Sequence, residues 1–439
     1  MAQRKRYCQV GLGGRSGMYT EGIWKDYAAV AELVGLCDTN QARMDLANSK
    51  RPAGLPAIPT FLAGDFERMI AQCKPDVVIV TSMDVTHSDY IIRAMELGCD
   101  VVTEKPMTTD ETRCRAILDA IERTGRKIQV TFNYRYSPPR SQLKQLLMEG
   151  VIGEVLSVDF TWLLNTHHGA DYFRRWHRNR RNSGSLLVHK ATHHFDLVNW
   201  WLGAWPEEVS AFGSLRYYTP RMGDQLGLQG RGERCHGCSV FDQCKFHLDL
   251  AKVGDLKAMY LDAEHCDGYF RDRCVFSEKV DIWDTMVANV RYDNGVLMSY
   301  CLMAYSPWEG YRISFTGTKG RLEHTCVEST YINGDGSVPG ELEQGQTSIT
   351  LIPSWEKPRA IEVWTSAGGH GGGDGPLVEA VFSPNLPPDP LHRRAGHVDG
   401  TYSIMTGVAA YHSIDRGQSV KISDLLGPWG KKLRTDRTR

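Results

Sequence analysis

Three imidazoles and an amine crowd into six residues of this chain, His189, Lys190, His193 and His194. Imidazole is the side chain that accepts or passes a proton near neutral pH, and positions 189 and 193 share one face of a helix. This is equipment for acid–base chemistry. A second candidate base is Lys105, in Glu104-Lys105-Pro106. At its ordinary value of about 10.4 an amine is a poor base at pH 7, but desolvation and neighbouring positive groups lower it. A third group, Gly11-Leu12-Gly13-Gly14-Arg15-Ser16-Gly17, is built for a ligand's phosphates. Gly11 permits a tight turn, and Gly13, with Gly14 beside it, lets backbone N–H groups approach a pyrophosphate at the start of a helix. Ser16 stands where a third glycine is usual, and a small residue still lets helix and strand pack. Asp38 is placed to accept hydrogen bonds from the adenosine ribose and to repel the extra phosphate of NADP, whereas Arg15 could pair with that phosphate. NAD therefore stands ahead of NADP. A fourth set, Cys235-x2-Cys238-x5-Cys244 with Cys274 beyond and Cys266 as a competitor, has spacing suited to structural zinc or an iron-sulfur cluster, with reduced unliganded thiols as the alternative.

These groups need a frame. The first third alternates short β-type runs (7–11, 33–38, 77–81, 100–103, 127–131) with helical stretches such as 18–31, 84–97 and 109–124. That is the rhythm of a parallel, doubly wound α/β sheet, with the glycine run between its first strand and first helix. The rhythm changes after Pro138-Pro139. A long strand at 155–164 and hairpin-ordered candidates at 208–214, 284–292, 296–304, 311–317 and 320–325, with Asp293-Asn294-Gly295 as a turn, predict an α+β domain with a mainly antiparallel sheet of five or so strands. The expected division is a Rossmann dinucleotide-binding domain over 1–136 and a substrate and oligomerisation domain over 137–439, carrying a cysteine-rich insertion at about 229–275.

With these motifs in place, the chain resembles the Gfo/Idh/MocA family of sugar and polyol dehydrogenases. The resemblance rests on the glycine run, Glu104-Lys105-Pro106, the loop Thr81-Ser82-Met83-Asp84-Val85-Thr86-His87, the segment Asn133-Tyr134-Arg135 and residues 184–196. It implies that Lys105 touches the reacting hydroxyl, that Thr81, Ser82, His87 and Glu104 border the cofactor, and that His193 is a catalytic histidine. His189 replaces the aspartate usual at its position, so an imidazole stands where a fixed charge would orient the base. Trp162, Tyr172, Arg175, Trp176, Lys190 and Arg135 offer aromatic faces and hydrogen-bonding forks suited to a sugar. Gly368-Gly369-His370-Gly371-Gly372 resembles a G-H-G-G segment of NAD-dependent glycosidases in the same superfamily, which puts His370 at the substrate.

Over 439 residues the chain is 41% hydrophobic, with 51 Lys+Arg against 52 Asp+Glu. Near-neutral charge gives no pull toward nucleic acid or anionic lipid. No apolar run approaches the roughly 18 residues of a membrane helix. The basic start, residues 1–6, leads through a short apolar run into glycines, so no secretory signal is expected and the cytoplasm is the default. The expected activity is NAD-dependent oxidation of a ring hydroxyl, C3 ahead of the others, of a small sugar or glycoside by a homo-oligomer. The alternatives are an NAD-retaining glycosidase or lyase that works by transient oxidation and elimination, and a non-catalytic NAD sensor.

Overall fold

The computed structural model describes residues 4–329, 347–365 and 369–435. Six parallel strands, β1 (Lys5–Val10), β2 (Ala31–Asp38), β3 (Thr60–Leu62), β4 (Val77–Val80), β5 (Asp100–Thr103) and β6 (Ile128–Val130), form a sheet in the order β3-β2-β1-β4-β5-β6. Strands β1 and β4 are neighbours in this sheet but not in sequence, so the order reverses beside β1, and ligands of such sheets bind outside the strand ends at that reversal. Every residue of β4, Val77-Val78-Ile79-Val80, is buried, as expected of a central strand covered on both faces. The first helix, Gly17–Glu21, and the turn after it are shorter than the run 18–31 suggested, and β2 begins at Ala31.

Nine strands, rather than five or so, make the second sheet. Its members are β7 (Val155–Asn165), β8 (Pro206–Ser214), β9 (Thr285–Tyr292), β10 (Leu297–Ser306), β11 (Glu309–Gly317), β12 (Gly320–Ser329), β13 (Ser348–Pro353), β14 (Arg359–Ile361) and β15 (Val420–Lys421). The order is β14-β13-β12-β11-β7-β10-β9-β8-β15, antiparallel throughout except for β7 with β10. The extra members are β14 and β15 at the two edges and β13 next to β14. Strict alternation in β9 and β10 buries Met286, Ala288, Val290, Met298, Tyr300 and Leu302 on one face. The helices Ala191–Leu202 and His397–Arg416 pack together, and the second lies along β8.

The chain's end also completes the first domain. Phe382, in the helix Asp374–Phe382, meets Tyr7 of β1 edge-on at 5.1 Å. A Cβ on Gly22 would lie 2.8 Å from Val378 of the same helix. Among the described residues no helix is long and apolar enough to cross a membrane.

Candidate active site

One cavity of about 870 Å³ runs from the glycine turn, along the ends of the parallel strands, to the histidines. These lie on two successive helices, Leu186–His189 and Ala191–Leu202, separated at Lys190, and not on one face of a single helix as expected. At its nucleotide end Gly11 has φ +86°, and a Cβ there would sit 2.5 Å from the backbone of Ser82. Only glycine fits. Thr81 closes the same corner by donating from Oγ1 to the Gly11 carbonyl (2.5 Å). Ser16 lies under the turn, its hydroxyl bonded to the Gly13 carbonyl (2.7 Å), so it braces the loop and does not line the cavity. Asp38, at the end of β2, accepts N–H bonds from Leu12 (2.5 Å) and Asn40 (2.9 Å), which aim its carboxylate into the cavity. A bare cradle and a fixed carboxylate fit a dinucleotide with a free adenosine ribose.

Arg15 corrects one expectation. Its Nε pairs with Glu104 (2.6 Å) and its Nη2 with Asp374 (3.3 Å), so the guanidinium is engaged at the Glu104 end and not beside Asp38. The cation beside Asp38 is Arg43, at 3.4 Å. Neither the fingerprint nor its spacing pointed to it.

At the other end Lys105 Nζ donates to the backbone carbonyl of His189 (3.4 Å). Burial lowers its amine to about 8, against the opposing pull of Asp84 and Glu104. Burial would raise the Glu104 carboxyl, but Arg15 and Lys105 outweigh it and hold the group below its ordinary value. His189 Nδ1 lies 2.5 Å from Asp84 Oδ2. Burial lowers the imidazole and raises the carboxyl, so each group of the pair is pushed toward its neutral form. Asp84 lies on the Thr81–His87 loop, and its role was missed. The available signal was the absence of an aspartate at 189, which left a carboxylate to be found elsewhere. His177, which follows Trp176 in the same aromatic and basic stretch, packs edge-on to His189 at 4.1 Å. His193 stacks on Tyr134 at 4.3 Å, and Lys190 donates to the Tyr134 hydroxyl (3.2 Å). Tyr172 joins His168 Nε2 (2.9 Å), whose Nδ1 meets Glu309 (2.6 Å). His87 spans the Pro106 and Ser82 carbonyls at 2.8 and 3.1 Å, tying its loop to the Lys105 segment.

Gly11, Gly13, Gly14, Arg15, Asp38, Thr81, Ser82, His87, Glu104 and Lys105 border this cavity together with Tyr172, Arg175, Trp176, His189, Lys190 and His193. Two expected substrate residues do not. Arg135 is buried, forked onto Asp196 at 2.6 and 2.8 Å with Asp399 as a third contact, and so serves the core. Trp162 is fully buried on the inner face of β7, stacked 3.9 Å from His194. The side chain of His370 lies outside the described residues.

Cys235, Cys238, Cys244 and Cys274 border a separate cavity of about 20 Å³. Among the described residues, however, no group of three or more His, Cys, Asp or Glu is arranged to hold a metal ion, so the expected zinc or iron-sulfur centre gains no support. Phe246 and Phe276 line the same cavity, and burial pushes the Cys235 thiol up to about 11. The insertion is held instead by ion pairs such as Arg234 with Glu264 and Asp272, and by apolar packing.

The parallel sheet's order, the glycine cradle and the lowered lysine at the strand ends all describe a nicotinamide-dependent oxidoreductase. Comparison with known proteins agrees. Residues 5–132 match the oxidoreductase family's NAD-binding Rossmann fold, and residues 144–422 match the same family's C-terminal alpha/beta domain. YteT of Bacillus subtilis (strain 168) is 38% identical over 433 residues, covering 95% of this chain and 97% of its own. An inositol 2-dehydrogenase of Gluconacetobacter diazotrophicus is 32% identical over 241 residues, 51% of this chain and 64% of its own. A D-glucoside 3-dehydrogenase of Escherichia coli (strain K12) is 30% identical over 125 residues, 29% of this chain and 36% of its own. With both halves matched in order and the site assembled where they meet, the chain belongs to the Gfo/Idh/MocA family of oxidoreductases.

Proposed function

We propose that this protein is an NAD-dependent dehydrogenase that oxidises a ring hydroxyl, at C3, of a sugar or glycoside. The observation that carries the reading is Lys105. A half-buried amine lowered to about 8 stands in one cavity with the glycine cradle and the histidines of the second domain. Bound nicotinamide supplies the hydride acceptor. Gly11, Gly13 and Asp38 would hold the dinucleotide, with Asp38 favouring NAD. With hydride passing to that acceptor, the Lys105 amine would take the hydroxyl proton and become an ammonium as the alcohol becomes a ketone. Nearby, the Asp84–His189 pair and His193 provide proton carriers toward solvent. Tyr172 and Trp176 offer ring faces to a pyranose, and Arg175 offers hydrogen-bond donors. The C3 assignment is supported by the glucoside 3-dehydrogenase relative.

A homo-oligomer is part of this reading. Phe212 and Val287 are paired across β8 and β9, 76% and 42% exposed, and Leu297 (58%) lies on the same face of β10, four residues along from Cys301, the partner of Val287. A second copy would cover that apolar face.

The experiment is a panel of glucosides and cyclic polyols incubated with NAD and followed by NMR, with glucosides deuterated separately at C1 and C3. Deuterium transferred from C3 into NADH supports the reading. Transfer from C1 alone refutes the regiochemistry, bond cleavage without net NADH favours the elimination route, and no turnover of any alcohol favours a sensor.

A further inference from the structure

The insertion was expected to hold a metal. What it does instead is reach back across the first domain. Residues 255–271 leave the second domain from a rigid root: Cys235 N–H bonds the Asp272 carbonyl (2.8 Å), Cys274 N–H bonds the Glu233 carbonyl (2.9 Å), and Arg271 pairs with Asp171 (2.7 Å). From there the segment lies against the residues that follow β2. The Ala263 carbonyl accepts from Asn40 Nδ2 (2.9 Å) and the Met259 carbonyl accepts from Arg43 Nε (3.2 Å). Asp267 pairs with Arg43 (2.8 Å), and Asp255 pairs with Lys50. The rings of Tyr260 and Tyr269 flank the Arg43 guanidinium at 5.4 and 5.8 Å.

These contacts fall on the nucleotide half of the cavity. Tyr260, Asp267 and Tyr269 line it together with Gly13, Gly14 and Asp38. The Tyr260 hydroxyl accepts the Gly14 N–H at 3.3 Å, which is one of the turn's backbone donors for phosphate. A phenol already standing at that turn is also a donor, able to offer its own O–H to a phosphate oxygen. Arg43 bridges two carboxylates, Asp38 at 3.4 Å and Asp267 at 2.8 Å, so the insertion fixes the charge pattern beside the adenosine ribose.

We propose that segment 255–271 is a wall of the cofactor site. It encloses the adenosine–pyrophosphate half of the dinucleotide, so release of the cofactor requires the segment to lift off residues 40–50. This rests on the dinucleotide reading above but not on the identity of the alcohol. Slow exchange follows from the geometry, because one arm tied to both domains must break several polar contacts before the nucleotide leaves.

The test measures NADH release from the full-length protein by stopped-flow fluorescence, with excess NAD as the displacing ligand. Lys50→Ala combined with Asp267→Ala removes two anchors and is expected to raise the release rate at least tenfold, with a smaller change in association. Tyr260→Phe, which removes only the hydroxyl, is expected to raise it several-fold. Release within twofold of wild type in both proteins, with unchanged far-ultraviolet circular dichroism, would overturn the proposal. Should the double variant fail to fold, hydrogen exchange on the wild type decides: NADH must slow exchange in 255–271, and no added protection there overturns the proposal. A wild type that binds no NADH fails earlier and overturns the dinucleotide reading itself.

Discussion

Replacing Glu104 with Gln should move the pH dependence of alcohol oxidation toward acid. Lys105 has an amine lowered by burial from 10.5 to about 8, with Glu104 among the groups that hold it from falling further. At pH 7 an amine of that kind is free in about one molecule in ten, against about three in ten thousand for an ordinary lysine, so the folded site already supplies some 300-fold more base. Glu104 is 5% exposed and accepts from Arg15 and from the Tyr19 hydroxyl (2.8 Å), and these contacts survive in part with an amide oxygen. Losing its charge removes a carboxylate that favours the ammonium of Lys105 and leaves Arg15 with Asp374 as its carboxylate partner. A unit charge at roughly 7 Å in an effective dielectric near 20 is worth about 2 kcal/mol, and solvent reaching the open cavity reduces this to about one pH unit. The rising limb of kcat/KM should then fall from a midpoint near 8 to one near 7, with a lower plateau because a weaker base accepts the proton. The assay is NADH formation from pH 5.5 to 10 with the panel's best alcohol and its carbon-deuterated form, whose isotope effect confirms that the chemical step is being read. Lys105→Met should abolish the limb. A midpoint in Glu104→Gln that stays near 8 or moves upward would refute Lys105 as the titrating base.

Three further outcomes follow. Asp38→Ser should weaken NAD binding about 10- to 100-fold through loss of charge-assisted hydrogen bonds and narrow the gap to NADP, read by fluorescence titration of both reduced cofactors; undiminished preference for NAD would shift selectivity to Arg43 and Asp267. Asp196→Asn leaves the buried Arg135 with Asp399 as its remaining carboxylate partner and should cost about 3 kcal/mol in denaturant unfolding, whereas a change below about 1 kcal/mol would mean the pair adds little to stability. Phe212→Glu should shift an assembled wild type toward monomer in sedimentation, and a monomeric wild type removes the oligomer from the proposal.

Backbone demands made the nucleotide end readable. A turn that tolerates no Cβ at Gly11 needs glycine wherever it occurs, and a carboxylate ending the second strand has one standard use. Side-chain type was a weaker guide. Trp162 suited a sugar by chemistry, yet Val158, Phe160, Trp162 and Leu164 alternate along β7 and all point inward. That period was legible and should have outweighed the residue type. Arg135 could not be resolved in this way, because its partners Asp196 and Asp399 are 61 and 264 residues distant. The insertion has neither period nor repeat, so its contact with the glycine turn, made across 246 residues by Tyr260, had no local signature.

The substitution at 189 shows how the site can keep its chemistry while changing its parts. An imidazole at that position could have left the base without an oriented charge. Instead the loop after β4 supplies Asp84 at 2.5 Å from His189, and the helix that carries His189 brings its carbonyl to Lys105 at 3.4 Å. The carboxylate stands in the first domain and the imidazole in the second, so the pair spans the boundary between them. The hydrogen bond across that boundary depends on the two domains keeping their relative position, as does the cofactor wall that the insertion builds at the other end of the cavity. Both ends of the site therefore tie the same two bodies together. Asp84→Asn should then slow oxidation more than it weakens NADH binding, while loss of the Asp267 anchor should do the reverse.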